Sequence, residues 1–170
     1  MPDTVFGLPT HPIVVHTTVV FLPLASLAVL LHAFWPAARP RLGVVTPLLA
    51  GAALVLVPLS TESGESLERS VGENALVERH AELADGMLPW AIGLFVVAAG
   101  LWLLDRRRAR STSAPEPRWL PIVVSVLAVL TVAGSVQQIV RIGHAGAQAT
   151  WNGVVQAPAA AEGDRDGDGG

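Results

Sequence analysis

Residues 119–140 read WLPIVVSVLAVLTVAGSVQQIV, a stretch of 22 residues without a charged side chain. Three further stretches lack Asp, Glu and Arg, and these are Ile13–Trp35, Leu42–Ser60 and Met87–Leu104. About 20 apolar residues, at about 1.5 Å each, cross the roughly 30 Å hydrocarbon core of a bilayer. Because a backbone in lipid must satisfy its own hydrogen bonds, stretches of this length predict helices. The sequence therefore predicts an all-α integral membrane protein, an up-down bundle of four transmembrane helices.

The composition supports this class and excludes several kinds of site. Hydrophobic residues make up 51% of the chain and charged residues 15%, whereas a soluble domain carries about 25% charged residues. The absence of Cys excludes disulfides, thiolate metal sites and cysteine nucleophiles. The length of 170 residues favours one domain. We expect a transmembrane domain at 8–151 that includes an acidic loop with a helical extension at 61–86, and a disordered acidic tail at 157–170.

The arginines predict the orientation. Seven of the 11 lie in the loops that follow the first and third spans, and these are Arg39, Arg41, Arg106, Arg107, Arg108, Arg110 and Arg118. Short arginine-rich loops stay in the cytoplasm, so both termini and the 61–86 loop are expected outside a bacterial plasma membrane. The run at 106–110 follows a span directly, which favours an anchor for anionic lipid over a nucleic-acid patch. The expected partner is the lipid bilayer, with no nucleic acid.

Local signals predict where two of the helices begin. Asn74 is a good N-cap, so the third helix should begin near it and enter the membrane around Met87. The first helix should begin at Thr10–Pro12, because proline is favoured in the first turn.

Every predicted helix brings an ionisable group to the same depth near the extracytoplasmic surface. Counted from the cytoplasmic edge of each span, the groups lie 19 to 25 residues along the helices, and they are His11, His16, Glu62, Glu65, His80, Arg141 and His144. Ionisable groups at such depth usually face the bundle interior and mark a functional site.

Two kinds of site fit this layer. For haem b, His16 and His80 are the expected axial pair, since the first and third helices should lie opposite each other, and Arg141 would neutralise a propionate. For a transition-metal ion, the candidate ligands are His11, His16, Glu62, His80 and His144.

The alternative interpretation is that the layer only packs the bundle and binds no cofactor. Side chains near the interface reach water cheaply, and His11 before Pro12 has the position of a helix cap. His32 stands alone at the cytoplasmic end, so we expect it to be interfacial. A second haem at that end would need a second histidine ligand, which the sequence does not provide there.

Three motifs resemble a known family. They are LPTHPIVVH at Leu8–His16, ERHAE at Glu78–Glu82 and RIGHAGA at Arg141–Ala147. Over roughly Leu8–Trp151 the chain resembles the bacterial membrane family catalogued as domain of unknown function 2231. The resemblance implies a four-helix membrane protein of poorly known role, with a distant kinship to cytochrome b561-like membrane haem proteins and hence redox work.

The residues and the resemblance together favour electron transfer or redox sensing with an extracytoplasmic partner. An electron carrier is favoured over a catalyst, because no nucleophile motif frames the serines near His80. The alternative is a non-enzymatic accessory or scaffold subunit of a membrane assembly.

Overall fold

The structure is a computed structural model that describes residues 4–71, 74–110, 117 and 119–155. Over those residues it contains two short strands and six helices. The strands are β1 (Thr4–Val5) and β2 (Leu8–Pro9), and the helices are α1 (Thr10–Phe34), α2 (Arg39–Leu42), α3 (Val45–Val71), α4 (Ala75–Asp85), α5 (Leu88–Arg110) and α6 (Trp119–Val155). The two strands pair in an antiparallel hairpin immediately before α1.

Four helical segments are long and apolar enough to cross a membrane: α1, most of α3, α4 together with α5, and most of α6. Large apolar side chains stay exposed along them, such as Leu48 at 64%, Val96 at 61% and Ile122 at 65% of their surface. Such a surface is costly in water and is covered by acyl chains in a bilayer. The predicted class, a four-helix transmembrane bundle, is confirmed.

The helices are arranged so that α1 and α5 lie on a diagonal. Each of these two helices packs against both α3 and α6, as expected for the first and third spans. The centre of the bundle is built largely from small side chains with no exposed surface, and these are Ala25, Ala50, Ala53, Ala98 and Ala128. Small residues let helix backbones approach closely, which is the usual way that helices associate in lipid.

The pairing of α5 with α6 is fixed at three levels by glycines that face large or branched side chains. The pairs are Gly86 with Gln138, Trp90 with Gly134, and Gly93 with Thr131. In every pair the two residue numbers add up to the same value, as they must for two antiparallel helices in a constant register. Each glycine provides the space that its partner occupies.

The helix that carries His80 begins where the sequence predicts. Oδ1 of Asn74 accepts a hydrogen bond of 2.9 Å from the backbone N–H of Leu76, which caps α4. The chain then turns at Gly86 and Met87, and α5 continues from Leu88. α1 begins at Thr10, also as predicted.

Two helices extend beyond the expected spans. α3 continues past Ser60 to Val71, and α6 continues past Val140 to Val155. The segment at 61–86 is therefore mostly helical in its described part. The predicted tail at 157–170 lies outside the described residues.

Candidate functional site

The two ends of the bundle differ in chemistry. At one end lie the start of α1, the end of α3, all of α4 and the end of α6, and we call this the histidine end because it carries His11 and His80. At the other end lie α2, the end of α5 and the start of α6, and we call this the arginine end because it carries Arg39 and Arg106–Arg110.

At the histidine end the rings of His11 and His80 meet. Their centroids are 6.5 Å apart and the ring planes are at 84° to each other. His11 lies in the first turn of α1 and His80 in the middle of α4, and both side chains are half-buried. The fold thus joins two imidazoles that are far apart in the sequence.

Both imidazoles are held by their Nδ1 atoms. Nδ1 of His80 lies 3.0 Å from the carbonyl oxygen of Ile142 on α6. Nδ1 of His11 lies 3.2 Å from the carbonyl oxygen of Ser60 and 3.2 Å from Oγ of Ser63, both on α3. Because a carbonyl oxygen only accepts, each Nδ1–H must be the donor. In the neutral ring, Nε2 then carries the free lone pair, which is the arrangement found in histidines that bind metals.

A glycine lies beside each imidazole. A β-carbon at Gly64 of α3 would be 3.1 Å from Cε1 of His11, and one at Gly146 of α6 would be 3.1 Å from Cε1 and Nδ1 of His80. Such distances are shorter than ordinary van der Waals contact, so a larger residue would displace either ring. The two glycines provide the space in which the imidazoles lie.

His11 and His80 line two cavities of opposite character. A cleft of about 470 Å³ lies between them and the polar residues at this end, including Glu65 and Glu68. A second cleft of about 230 Å³ lies toward the middle of the bundle and is lined mainly by apolar residues such as Leu22. The imidazole pair therefore stands where a polar cleft meets an apolar one.

Comparison with known proteins places the chain in a family. Residues 7–158 match the family model described as Predicted membrane protein (DUF2231). The chain belongs to the DUF2231 family. No curated protein and no solved structure matches it.

The arrangement of His11 and His80 corrects the expected pairing of His16 with His80. His16 is exposed, and its Nδ1 lies 2.6 Å from the carbonyl oxygen of Pro12 in its own helix. Five residues along an α-helix correspond to about 140° around the axis. Once His11 faces the bundle, His16 cannot face the same side.

The other predicted ligands do not join this pair. Glu62 is exposed and does not line either cleft. Glu65, which the sequence places in the same layer but not among the candidate ligands, lines the polar cleft together with Glu68. Arg141 and His144 are exposed and line a different pocket. Of the predicted ligands, the structure therefore brings His11 and His80 together and leaves Glu62, Arg141 and His144 apart from them.

His32 is also not where the sequence analysis expected it. Instead of being interfacial it has no exposed surface. Its Nδ1 lies 3.0 Å from Oγ1 of Thr46 and its Nε2 lies 2.9 Å from Oδ2 of Asp105. The signal that could have found this cluster is the position of Asp105 at the arginine end of the third predicted span, level with His32 on the first.

The chemistry of the candidate site follows from its donors. The described residues contain no group of three or more His, Cys, Asp or Glu side chains placed to hold a metal ion. The site has two imidazoles, each with an oriented Nε2. His11 and His80 could together hold a haem iron, which needs only two ligands from the protein. A bare ion would need further ligands from water or another molecule.

Proposed function

We propose that this DUF2231 protein holds one transition-metal centre, haem b in the first place, between His11 and His80. Its function is electron transfer or redox sensing for a partner on the extracytoplasmic side of a bacterial plasma membrane. The observation that carries the proposal is the close approach of the two imidazoles, each held through Nδ1 by a carbonyl oxygen of a neighbouring helix.

The distance between the rings supports a shared metal. Metal–imidazole bonds are about 2.0–2.1 Å long. The ring centroids of His11 and His80 lie 6.5 Å apart. At this separation both imidazoles could serve as ligands of one metal ion. The two glycines beside the rings support the same interpretation, because they allow the rings to lie between closely packed helices.

The residues of the chain have distinct roles in this proposal. The carbonyl oxygens of Ser60 and Ile142 orient the imidazoles. The apolar cleft with Leu22 and Met87 keeps water from one side of the pair, and Glu65 with Glu68 makes the other side acidic. The bound group itself would supply reversible one-electron chemistry, and the protein would fix its ligands and environment.

The orientation and the location are parts of the proposal. The arginines of the loops that follow α1 and α5 favour a cytoplasmic arginine end. The histidine end, with the acidic residues of its polar cleft, is then extracytoplasmic and suits a redox partner that carries positive charge.

The test is an absorbance spectrum of the detergent-solubilised full-length protein, produced with haem supplied. We expect a Soret band that shifts on reduction, lost in His11→Ala and in His80→Ala. The matched control is His16→Ala, since His16 lies on α1 beside the site but is exposed, and it should keep the band. A colourless protein that also lacks stoichiometric metal by elemental analysis would overturn the proposal.

The accessory-subunit alternative predicts a different result. One partner protein would co-purify with the chain in equal amounts from wild type, His11→Ala and His80→Ala, and none of the three would show a cofactor spectrum.

A further inference from the structure

A second pocket at the histidine end is lined by cationic side chains. It measures about 380 Å³ and is lined by Arg79, Leu83, Arg141, His144, Ala145 and Gln148. None of these residues lines the clefts beside His11 and His80. The two sites are therefore separate, although both lie between α4 and neighbouring helices.

The helical spacing explains why these side chains converge. Arg141, His144 and Gln148 lie at positions i, i+3 and i+7 of α6, which share one face of a helix. Arg79 and Leu83 are four residues apart on α4 and also share a face. α4 packs against α6, so the two faces form the walls of one pocket.

The two arginines of the pocket carry positive charge that no ion pair neutralises within the described part of the chain. Among the described residues, neither Arg79 nor Arg141 forms an ion pair or a side-chain hydrogen bond. Within that described part the two arginines remain unpaired, although acidic residues are close to Arg79 in the sequence, among them Glu78 and Glu82. Two exposed guanidiniums and an imidazole together provide several N–H donors for an oxyanion.

The position of the pocket indicates the source of the oxyanion. Arg141 directly follows Val140, the last residue of the long apolar stretch of α6, and the Val140 side chain is 64% exposed. The apolar surface that faces acyl chains therefore ends at the level of the pocket. Leu83 and the buried Ala145 give the pocket an apolar floor.

We propose that Arg79, Arg141 and His144 bind the phosphate group of an anionic phospholipid in the leaflet at the histidine end. The guanidiniums contact the phosphate oxygens through parallel N–H donors, as arginine does with phosphate elsewhere. The acyl chains lie against the exposed apolar residues of α6. This site is independent of the metal centre proposed above.

The test measures retention of phosphatidylglycerol and phosphatidylcholine with identical acyl chains by native mass spectrometry of the solubilised full-length protein. Wild type should retain one phosphatidylglycerol in preference to phosphatidylcholine. Arg141→Gln should weaken this binding about fivefold. The double variant Arg79→Gln/Arg141→Gln should weaken it about fivefold for each arginine that is lost. The matched control is Arg69→Gln, because Arg69 is an exposed arginine at the same end outside the pocket.

Three results would overturn the assignment. Equal weakening by Arg69→Gln and Arg141→Gln would mean that only the overall charge matters. Equal retention of the two lipids in wild type would mean that the headgroup is not recognised. Displacement of phosphatidylglycerol by inorganic phosphate at equal concentration would make the site one for a free anion. Because all substituted arginines are exposed, melting followed by tryptophan fluorescence should show that every variant stays folded.

Discussion

Nε2 of His32 lies 2.9 Å from Oδ2 of Asp105, and this contact joins the end of α1 to α5 at the arginine end. The imidazole has no exposed surface and the carboxylate is 28% exposed. The other ring nitrogen of His32 lies 3.0 Å from Oγ1 of Thr46 at the start of α3. One buried imidazole thus connects three of the four spanning segments.

We expect Asp105→Ala to destabilise the bundle by about 1–3 kcal/mol, because Nε2 of His32 would be left buried without its partner. The thermal midpoint of unfolding in detergent should fall. Glu82→Ala removes an exposed carboxylate at the other end and should change stability by less than about 0.5 kcal/mol. An unchanged midpoint in Asp105→Ala would mean that the contact contributes nothing to stability.

A pair of glycines in the spans tests the packing of α5 against α6. A β-carbon at Gly134 would overlap the ring of Trp90, whereas a β-carbon at Gly100 would meet no atom within 4 Å. Gly134→Ala should therefore destabilise the protein by about 1–3 kcal/mol through overpacking. Gly100→Ala should be neutral or slightly stabilising, since alanine is the better helix former. The measurement is the thermal midpoint of each variant, and equal midpoints would contradict the close α5–α6 contact.

The glycine beside His80 tests the geometry of the proposed metal centre. Gly146→Ala should displace the imidazole, which is held on its other side by the carbonyl oxygen of Ile142. Substitutions that disturb the orientation of a ligand reduce metal affinity about tenfold or more, so haem titration should show weaker binding. Gly100→Ala is the control and should bind as wild type does, because a β-carbon at Gly100 would meet no atom within 4 Å and Gly100 lines neither cleft. Equal haem affinity in the two variants would mean that His80 does not bind the cofactor.

The orientation can be tested by cysteine labelling, because the natural chain contains no Cys. Ala75→Cys places a thiol at the histidine end, and Ala37→Cys places one at the arginine end, both at exposed positions. A membrane-impermeant maleimide added to intact cells should label Ala75→Cys and should label Ala37→Cys only after permeabilisation. The opposite pattern would reverse the proposed topology and place the polar cleft with Glu65 and Glu68 on the cytoplasmic side.

The sequence predicted the depth of residues along each helix well. Asn74 caps α4, Thr10 begins α1, and His11 and His80 lie at one level of the bundle. Depth is determined by counting residues from the end of an apolar stretch, because each helical residue advances by about 1.5 Å. The number and the length of the four spans follow from the same count of apolar residues.

The sequence did not predict the rotation of each helix about its own axis. Rotation decides that His11 rather than His16 faces His80, that Arg141 lines a pocket with Arg79, and that His32 is buried beside Asp105. In a soluble protein the alternation of polar and apolar residues reveals the buried face of a helix. In lipid both faces are apolar, so that signal is lost, and the rotation is set by the packing of small residues against large ones and by hydrogen bonds between helices. The sequence alone therefore determined the number, length and level of the helices, while the tertiary structure decided which side chains meet.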